Sequence, residues 1–303
     1  MKVSQRPKAI AMLWLTAAIW GFAFVAQRAG MVHVGPFIFN GLRFLLGSLS
    51  LLPLIFWLNH REKKKVLLIS PGLFRGGLAA GIVLFVAASL QQAGIVYTQA
   101  GKAGFITGLY VLIVPAIGIF LGQITGRNLW IGAAVAVAGL FLLAFRGPLI
   151  IEKGDLLVLV SAFFWAVHVQ LINSLVKKLP ALPLSAMQFA ICGILSLAVS
   201  SFFETTLPGD IFKASVPLLY GGLLSVGVAY TLQVVAQKYV HPAYASIILS
   251  FETVFAVIGG WLILHESMTF RNLAGCLLML TGILIVQVKD FPMGRKRNQK
   301  FQH

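Results

Sequence analysis

Residues 9–27 read AIAMLWLTAAIWGFAFVAQ, and residues 155–176 read DLLVLVSAFFWAVHVQLINSLV. Each is an apolar run near the ~20 residues a helix needs to cross a ~30 Å hydrocarbon core. Each carries a tryptophan, Trp20 or Trp165, and these two lie 145 positions apart. The same interval links Arg43-Phe44 to Gln188-Phe189, Gly76-Gly77 to Gly221-Gly222, and Gln92 to Gln237. Arg127-Asn128-Leu129 recurs as Arg271-Asn272-Leu273, one residue out of step. The chain is a duplication. A unit with five spans reverses the polarity of its second copy, so the copies face opposite ways across the bilayer. That arrangement is the mark of an inverted-repeat transporter, with substrate held at the interface between repeats.

Outward from these two runs, ten apolar segments fit the sequence: 9–27, 37–58, 73–97, 103–123, 129–146, 155–176, 183–203, 214–237, 243–264 and 272–289. Lipid offers backbone groups no hydrogen-bond partner, so the segments are expected to be helices. The fold class is all-α, a polytopic membrane protein of ten transmembrane helices in two inverted five-helix repeats. Residues 1–147 hold the first repeat, 148–289 the second, and 290–303 a basic cytoplasmic tail. The first segment is as long as a full span and no small-residue cleavage site follows it cleanly, so it reads as a helix rather than a cleaved signal. Lys and Arg set the orientation. With the N-terminus inside, seventeen of the 24 fall on the inner side, six on the outer side, and Arg43 lies within a span. Both termini are therefore expected in the cytoplasm, in a multi-pass protein of the cell (inner) membrane.

Composition excludes several classes. Charged residues are 11% of the chain, against about a quarter in soluble domains, so the chain lacks a solvated surface. The net charge of +16 sits between apolar runs and forms no patch with interleaved aromatics, which argues against nucleic acid. Cys192 and Cys276 lie inside apolar runs and read as packing residues. An enzyme is not expected: His265-Glu266 lacks the second His of a zinc-protease helix, no G-x-S-x-G string occurs, and Asp155, Asp210 and Asp290 fall in loops or at span ends. No cofactor or metal is implied. A channel, or a polytopic protein without transport activity, is the alternative reading, but no ring of like charges is visible.

Polar groups inside the spans point to the site, because an ionisable residue at mid-bilayer costs ~2.5–3.5 kcal/mol on insertion scales. Glu252 is the one acidic residue deep in a span, with Ala245, Leu249, Ala256 and Gly259 along its face. It reads either as a proton-binding or substrate-amine group, or as a hydrogen-bonding group that fixes helix packing. Arg43 and His168 are its candidate partners. Arg43 shares a polar stripe with Asn40, Gly47 and Ser50. It can grip a substrate carboxylate in bidentate fashion, or snorkel and tie helix ends. Its repeat mate, Gln188, keeps polarity without charge. Trp20, Phe24 and Gln27 share one face of the first span, and Ser161, Trp165 and His168 one face of the sixth. The two tryptophans form opposite walls of a cavity for an apolar or aromatic group, or pack the interior. Gln91 and Gln92, Thr107 and Tyr110, and Tyr230, Gln233 and Gln237 add hydrogen-bonding groups. Small-residue spacings at Gly77/Gly81, Gly104/Gly108 and Gly118/Gly122 permit close helix contact, within the chain or in a homodimer. No interruption of a span is visible at these positions.

Trp20-Gly21-Phe22-Ala23-Phe24, Arg43, Gly104-Phe105-Ile106-Thr107-Gly108-Leu109-Tyr110 and Glu252-Thr253-Val254, together with the repeat and the span count, resemble the EamA-type branch of the drug/metabolite transporter superfamily. The resemblance covers nearly all of 1–290. Thr253 stands where the family often has Pro, and Gly122-Gln123 where it often has Gly-Glu. The resemblance implies a secondary transporter, an exporter or exchanger of amino acids or other small metabolites. Its substrate-binding candidates are Trp20, Phe24, Arg43, Gln92, Tyr110, Trp165, His168, Gln188, Tyr230 and Gln233, with Glu252 as the proton-coupling candidate. The expected partners are a small-molecule substrate and the lipid bilayer, the protein being a monomer or a homodimer.

Overall fold

The computed structural model describes residues 5–62, 70–98, 100–144, 152–264 and 269–287. The basic cluster at 63–65, the junction between repeats at 147–148, His265-Glu266 and the tail at 290–303 lie outside the described residues. The first repeat comprises α1 (Gln5–Gly30), α2 (Pro36–Glu62), α3 (Pro71–Val96), α4 (Ala100–Gly108), α5 (Tyr110–Phe120) and α6 (Arg127–Ala144). The second begins with α7 (Lys153–Leu175), α8 (Ala181–Phe203) and the short α9 (Pro208–Lys213). α10 (Ser215–Leu219) then runs through a π-helical stretch, Tyr220–Tyr230, into α11 (Thr231–Gln237). α12 (Pro242–Leu249), α13 (Glu252–Leu264) and α14 (Phe270–Gln287) complete it. No strand occurs among the described residues. Eight helical units are long and apolar enough to cross a membrane, while α6 and α14 are 18 residues each.

Local chemistry sets the helix ends. Ser70 caps α3 by accepting from the Leu73 N–H at 3.2 Å, with Pro71 in the first turn. The Asp155 carboxylate accepts from the Glu152 N–H at 2.7 Å at the start of α7, and from the Thr98 hydroxyl at 2.6 Å at the end of α3. α5 stops where Gly122 turns to φ +75°, the left-handed value a side chain resists. The Gln123 N–H then reaches back to the Gly118 carbonyl at 2.8 Å and the Gly122 N–H to Ile119 at 2.9 Å, a helix stop that satisfies the last carbonyls. Gly122 thus ends a helix rather than packing one.

The inversion is visible in how helices meet. Gly132 lies against the Gly282 carbonyl and Gly139 against the Gly275 carbonyl, so closely that a Cβ on any of the four would come within 2.5–2.8 Å of the facing oxygen. Numbers rise along α6 as they fall along α14, so the two run antiparallel, and the contact maps onto itself when the repeats are exchanged. Gly41 meets Leu197 and Gly193 meets Leu45, so α2 and α8 are a second antiparallel pair. Gly77 with Met187 and Gly81 with Ile191 set α3 parallel to α8. These alternations match ten passes of one chain.

The opening helix of each repeat packs chiefly on the other repeat. α1 runs along α10, the π stretch, α11, α12 and α13, whereas α7 runs along α3, α4 and α5. The Trp20 indole N–H donates to the Ser225 carbonyl at 3.2 Å, Thr16 to Ala229 at 3.1 Å, and the Tyr220 hydroxyl to Ile19 at 2.9 Å. In return, Gln170 on α7 donates to the Val114 carbonyl of α5 at 2.8 Å.

Two spans are interrupted, a feature the sequence pattern did not show. The fourth breaks between Gly108 and Tyr110, and the ninth between Leu249 and Glu252. Both breaks are tightened turns: Leu112 donates to the Leu109 carbonyl at 3.0 Å, and Thr253 to Ser250 at 3.2 Å. Thr253, in place of the family's frequent Pro, keeps this N–H bond. Discontinuous helices in corresponding spans are where transporters of this architecture build their sites.

Candidate functional site

Between the two breaks lies a cavity of at most about 510 Å³, counting the part that opens to solvent. Phe24, Gln27, Arg43 and Gln91 reach it from the last third of α1 and α3 and the first third of α2, and Thr107 from the end of α4 beside the break. This part of the wall lies toward the side on which α1 ends, while Val169 and Gln233 line the cavity from the later parts of the oppositely running sixth and eighth spans. On the other side a large apolar core containing Leu13, Val114, Ala243 and Ile247 fills the space between helices of both repeats.

One cation and one carboxylate enter this cavity. Arg43 is 2% exposed. Its Nε donates to Asn40 Oδ1 at 3.0 Å, and its guanidinium lies 4.9 Å from the Phe44 ring centre and 5.6 Å from that of Phe39. Gly47 and Ser50, further along the same stripe, pack against Val226 and Gly227 of the π stretch. Glu252 opens α13 just after the break, where helix N–H groups favour a carboxylate. Neither Arg43 nor His168 pairs with Glu252, and no carboxylate pairs with Arg43 among the described residues. A guanidinium and a carboxyl group thus border one low-dielectric space without pairing with each other. A solute bearing both signs would satisfy both.

Aromatic rings form much of the remaining wall. Tyr230 is the last residue of the π stretch and touches both repeat tryptophans, with ring centres 4.5 Å from Trp20 and 5.9 Å from Trp165, the latter stacked at 27°. Several lining atoms have no hydrogen-bond partner among the described residues: the Trp165 indole nitrogen, the Tyr110 hydroxyl and the side-chain oxygens of Gln27 and Gln233. Gln233 spends its amide on Gln237 at 3.2 Å, and Gln91 donates to Thr107 at 3.0 Å.

The structure gathers Trp20, Phe24, Arg43, Tyr110, Trp165, Tyr230, Gln233 and Glu252 around this cavity. Gln92, His168 and Gln188 are not on its wall. His168 Nε2 and Gln188 Oε1 hydrogen-bond each other at 2.9 Å, and Gln92 is buried elsewhere with both amide atoms unpartnered. Ser225, Val169 and Leu249 also line the cavity. Val169 and Leu249 have no polar atom to betray them, and Ser225 is placed by the π stretch. Among the described residues no three His, Cys, Asp or Glu side chains come together as a metal site.

These features define a multi-pass membrane transporter of the inverted-repeat class. The model of the EamA-like transporter family matches residues 7–145 and again 152–288, and the chain belongs to that family. It is 29% identical to an uncharacterized transporter of Archaeoglobus fulgidus, over 91% of this chain and 85% of that one. It is 26% identical to the uncharacterized transporter YoaV of Bacillus subtilis, over 88% and 92%. It is 24% identical to a Salmonella typhimurium protein described as "Probable amino-acid metabolite efflux pump", over 89% and 92%. A solved crystal structure superposes with a TM-score of 0.77 at 18% identity, over 93% of this chain and 98% of that one, which supports the fold.

Proposed function

We propose that the protein exchanges a small zwitterionic solute, amino-acid-like, for protons across the cell membrane by alternating access, with both termini in the cytoplasm. The observation that carries this reading is the unpaired Arg43 and Glu252 on one cavity between the repeats. Arg43 holds the carboxylate end of the solute, because its planar fork matches a carboxylate. Glu252 holds the ammonium end. A proton competes with that ammonium for the same carboxylate, and this competition couples the two movements. Trp20, Trp165 and Tyr230 receive the side chain. The name of the Salmonella relative agrees with the solute class, and the bias of Lys and Arg supports the orientation.

The test uses purified protein in liposomes and three labelled compounds that share one ring: L-phenylalanine, phenethylamine and 3-phenylpropionate. Only the first carries both charges. Uptake of L-phenylalanine well above that of the other two is expected. Equal uptake of all three, or none, overturns the zwitterion reading.

A further inference from the structure

Applying the 145-residue interval to the cavity wall sorts its residues into two kinds. Three pairs close on themselves: Trp20 with Trp165, Phe24 with Val169, and Thr107 with Glu252, both members of each lining the cavity. Arg43 does not. Its counterpart, Gln188, lies off the wall beside His168, and Asn40, which holds Arg43, has Ser185 as its counterpart. When inverted repeats exchange shapes, each residue moves into the setting its counterpart held. The closed pairs then stay on the site. Arg43 leaves it and Gln188 arrives.

A second observation, independent of the symmetry, points the same way. Gln188, Ser185 and His168 are all fully buried. Yet the Gln188 amide nitrogen, the Ser185 hydroxyl and His168 Nδ1 have no hydrogen-bond partner among the described residues. Native interiors leave few such groups unpaired, and each calls for an explanation. A state of the protein in which they meet a solute supplies one.

We propose that Gln188, Ser185 and His168 form a second solute subsite, reachable only in the opposite-facing state, which takes the same anionic end that Arg43 takes in this one. The Gln188 amide and Ser185 hydroxyl donate to the carboxylate, and His168 Nε2 fixes the Gln188 amide so that its nitrogen points to the solute. Neutral donors hold an anion more weakly than a guanidinium does. The carboxylate is therefore bound more tightly on the side where α1 ends than on the other.

The inference rests on the alternating-access reading above, and the test separates the two. Single cysteines replace Gln27, Ile172, Gln188 or Ser185 in protein carrying Cys192→Ala and Cys276→Ser. Ile172 is the symmetry counterpart of Gln27 and is buried here. A charged, membrane-impermeant methanethiosulfonate is applied to right-side-out and to inverted vesicles. Gln27→Cys should react only from the face on which α1 ends, and Ile172→Cys, Gln188→Cys and Ser185→Cys only from the opposite face. Reaction of Ile172→Cys from that face, with positions 188 and 185 silent from both, overturns the second subsite and leaves alternating access standing. Silence of Ile172→Cys from the opposite face overturns alternating access and the subsite with it. Variants are scored only when they elute as one sharp peak on size exclusion. Two independent positions guard against the misfolding of one.

Discussion

The two repeats agree most closely along the seam of α6 and α14 and differ most at Arg43 and its counterpart Gln188. At the seam, four glycines face each other in a contact that exchanging the repeats leaves unchanged. At the cavity, one repeat offers Arg43 braced by Asn40, and the other offers Gln188 beside His168 and Ser185. Thr107 and Glu252 are likewise counterparts, one neutral and one acidic. Symmetry persists where backbones touch, because a side chain added to either helix collides with the partner's carbonyl. It lapses where side chains face open space, because there a change of polarity disturbs no packing. The repeat holds the scaffold, and its departures from symmetry give the solute a direction.

The largest expected effect breaks the seam. Gly139→Leu places a branched side chain where even a Cβ comes within 2.6 Å of the Gly275 carbonyl. Overpacking usually costs about 1–3 kcal/mol, and here the obstacle is backbone, so folded protein should largely disappear from size-exclusion profiles. Gly209→Ala, whose Cβ meets nothing within 4 Å, should leave them unchanged. Equal recovery of both variants would mean that the seam is not a rigid element. Next comes Glu252→Gln, which fixes the neutral state. Gradient-driven accumulation of L-phenylalanine in liposomes should vanish, while counterflow persists at lower affinity. Accumulation that survives at a normal rate makes Glu252 a packing group. Arg43→Gln converts the first repeat to the polarity of the second. Charged hydrogen bonds contribute about 1.5–3 kcal/mol, so the half-saturating L-phenylalanine concentration should rise roughly 10- to 100-fold at unchanged expression. A rise of less than about twofold removes Arg43 from the site. The smallest effect belongs to the closed pair. Trp20→Ala and Trp165→Ala each lose aromatic contacts of about 0.5–1.5 kcal/mol, and the two should weaken transport to a similar degree, roughly two- to tenfold. Loss of folded protein with unchanged activity per molecule would show that the rings only pack.

The scaffold was legible in the sequence because a duplication leaves dated landmarks: Trp20 and Trp165, Gly76-Gly77 and Gly221-Gly222. Arg43 and Glu252 stood out for another reason, since a charge inside an apolar run is costly wherever it points. Direction was harder to read. Gln91 and Gln92 are adjacent on α3, about 100° apart around the axis, and only Gln91 faces the cavity. Nothing in a span apolar on every side tells the two apart. The same uncertainty hid the turn of His168 toward Gln188 rather than the cavity wall. The break at Leu109 follows directly on Gly108, a residue type too common in these spans to mark it, and the break at Ser250-Phe251 has neither Pro nor Gly on either side.

The exchange of opening helices bears on how the protein is made. α3, α4 and α5 are synthesised well before α7, the helix that covers them. Until α7 inserts, the first half of the chain presents an unfilled groove to lipid. α1 finds most of its partners only when α10 to α13 have entered the membrane. Neither half is a folding unit, although each is a complete copy of the repeat. The packing of α1 and α7 across the repeats therefore belongs to a stage of tertiary assembly that follows insertion of the second half.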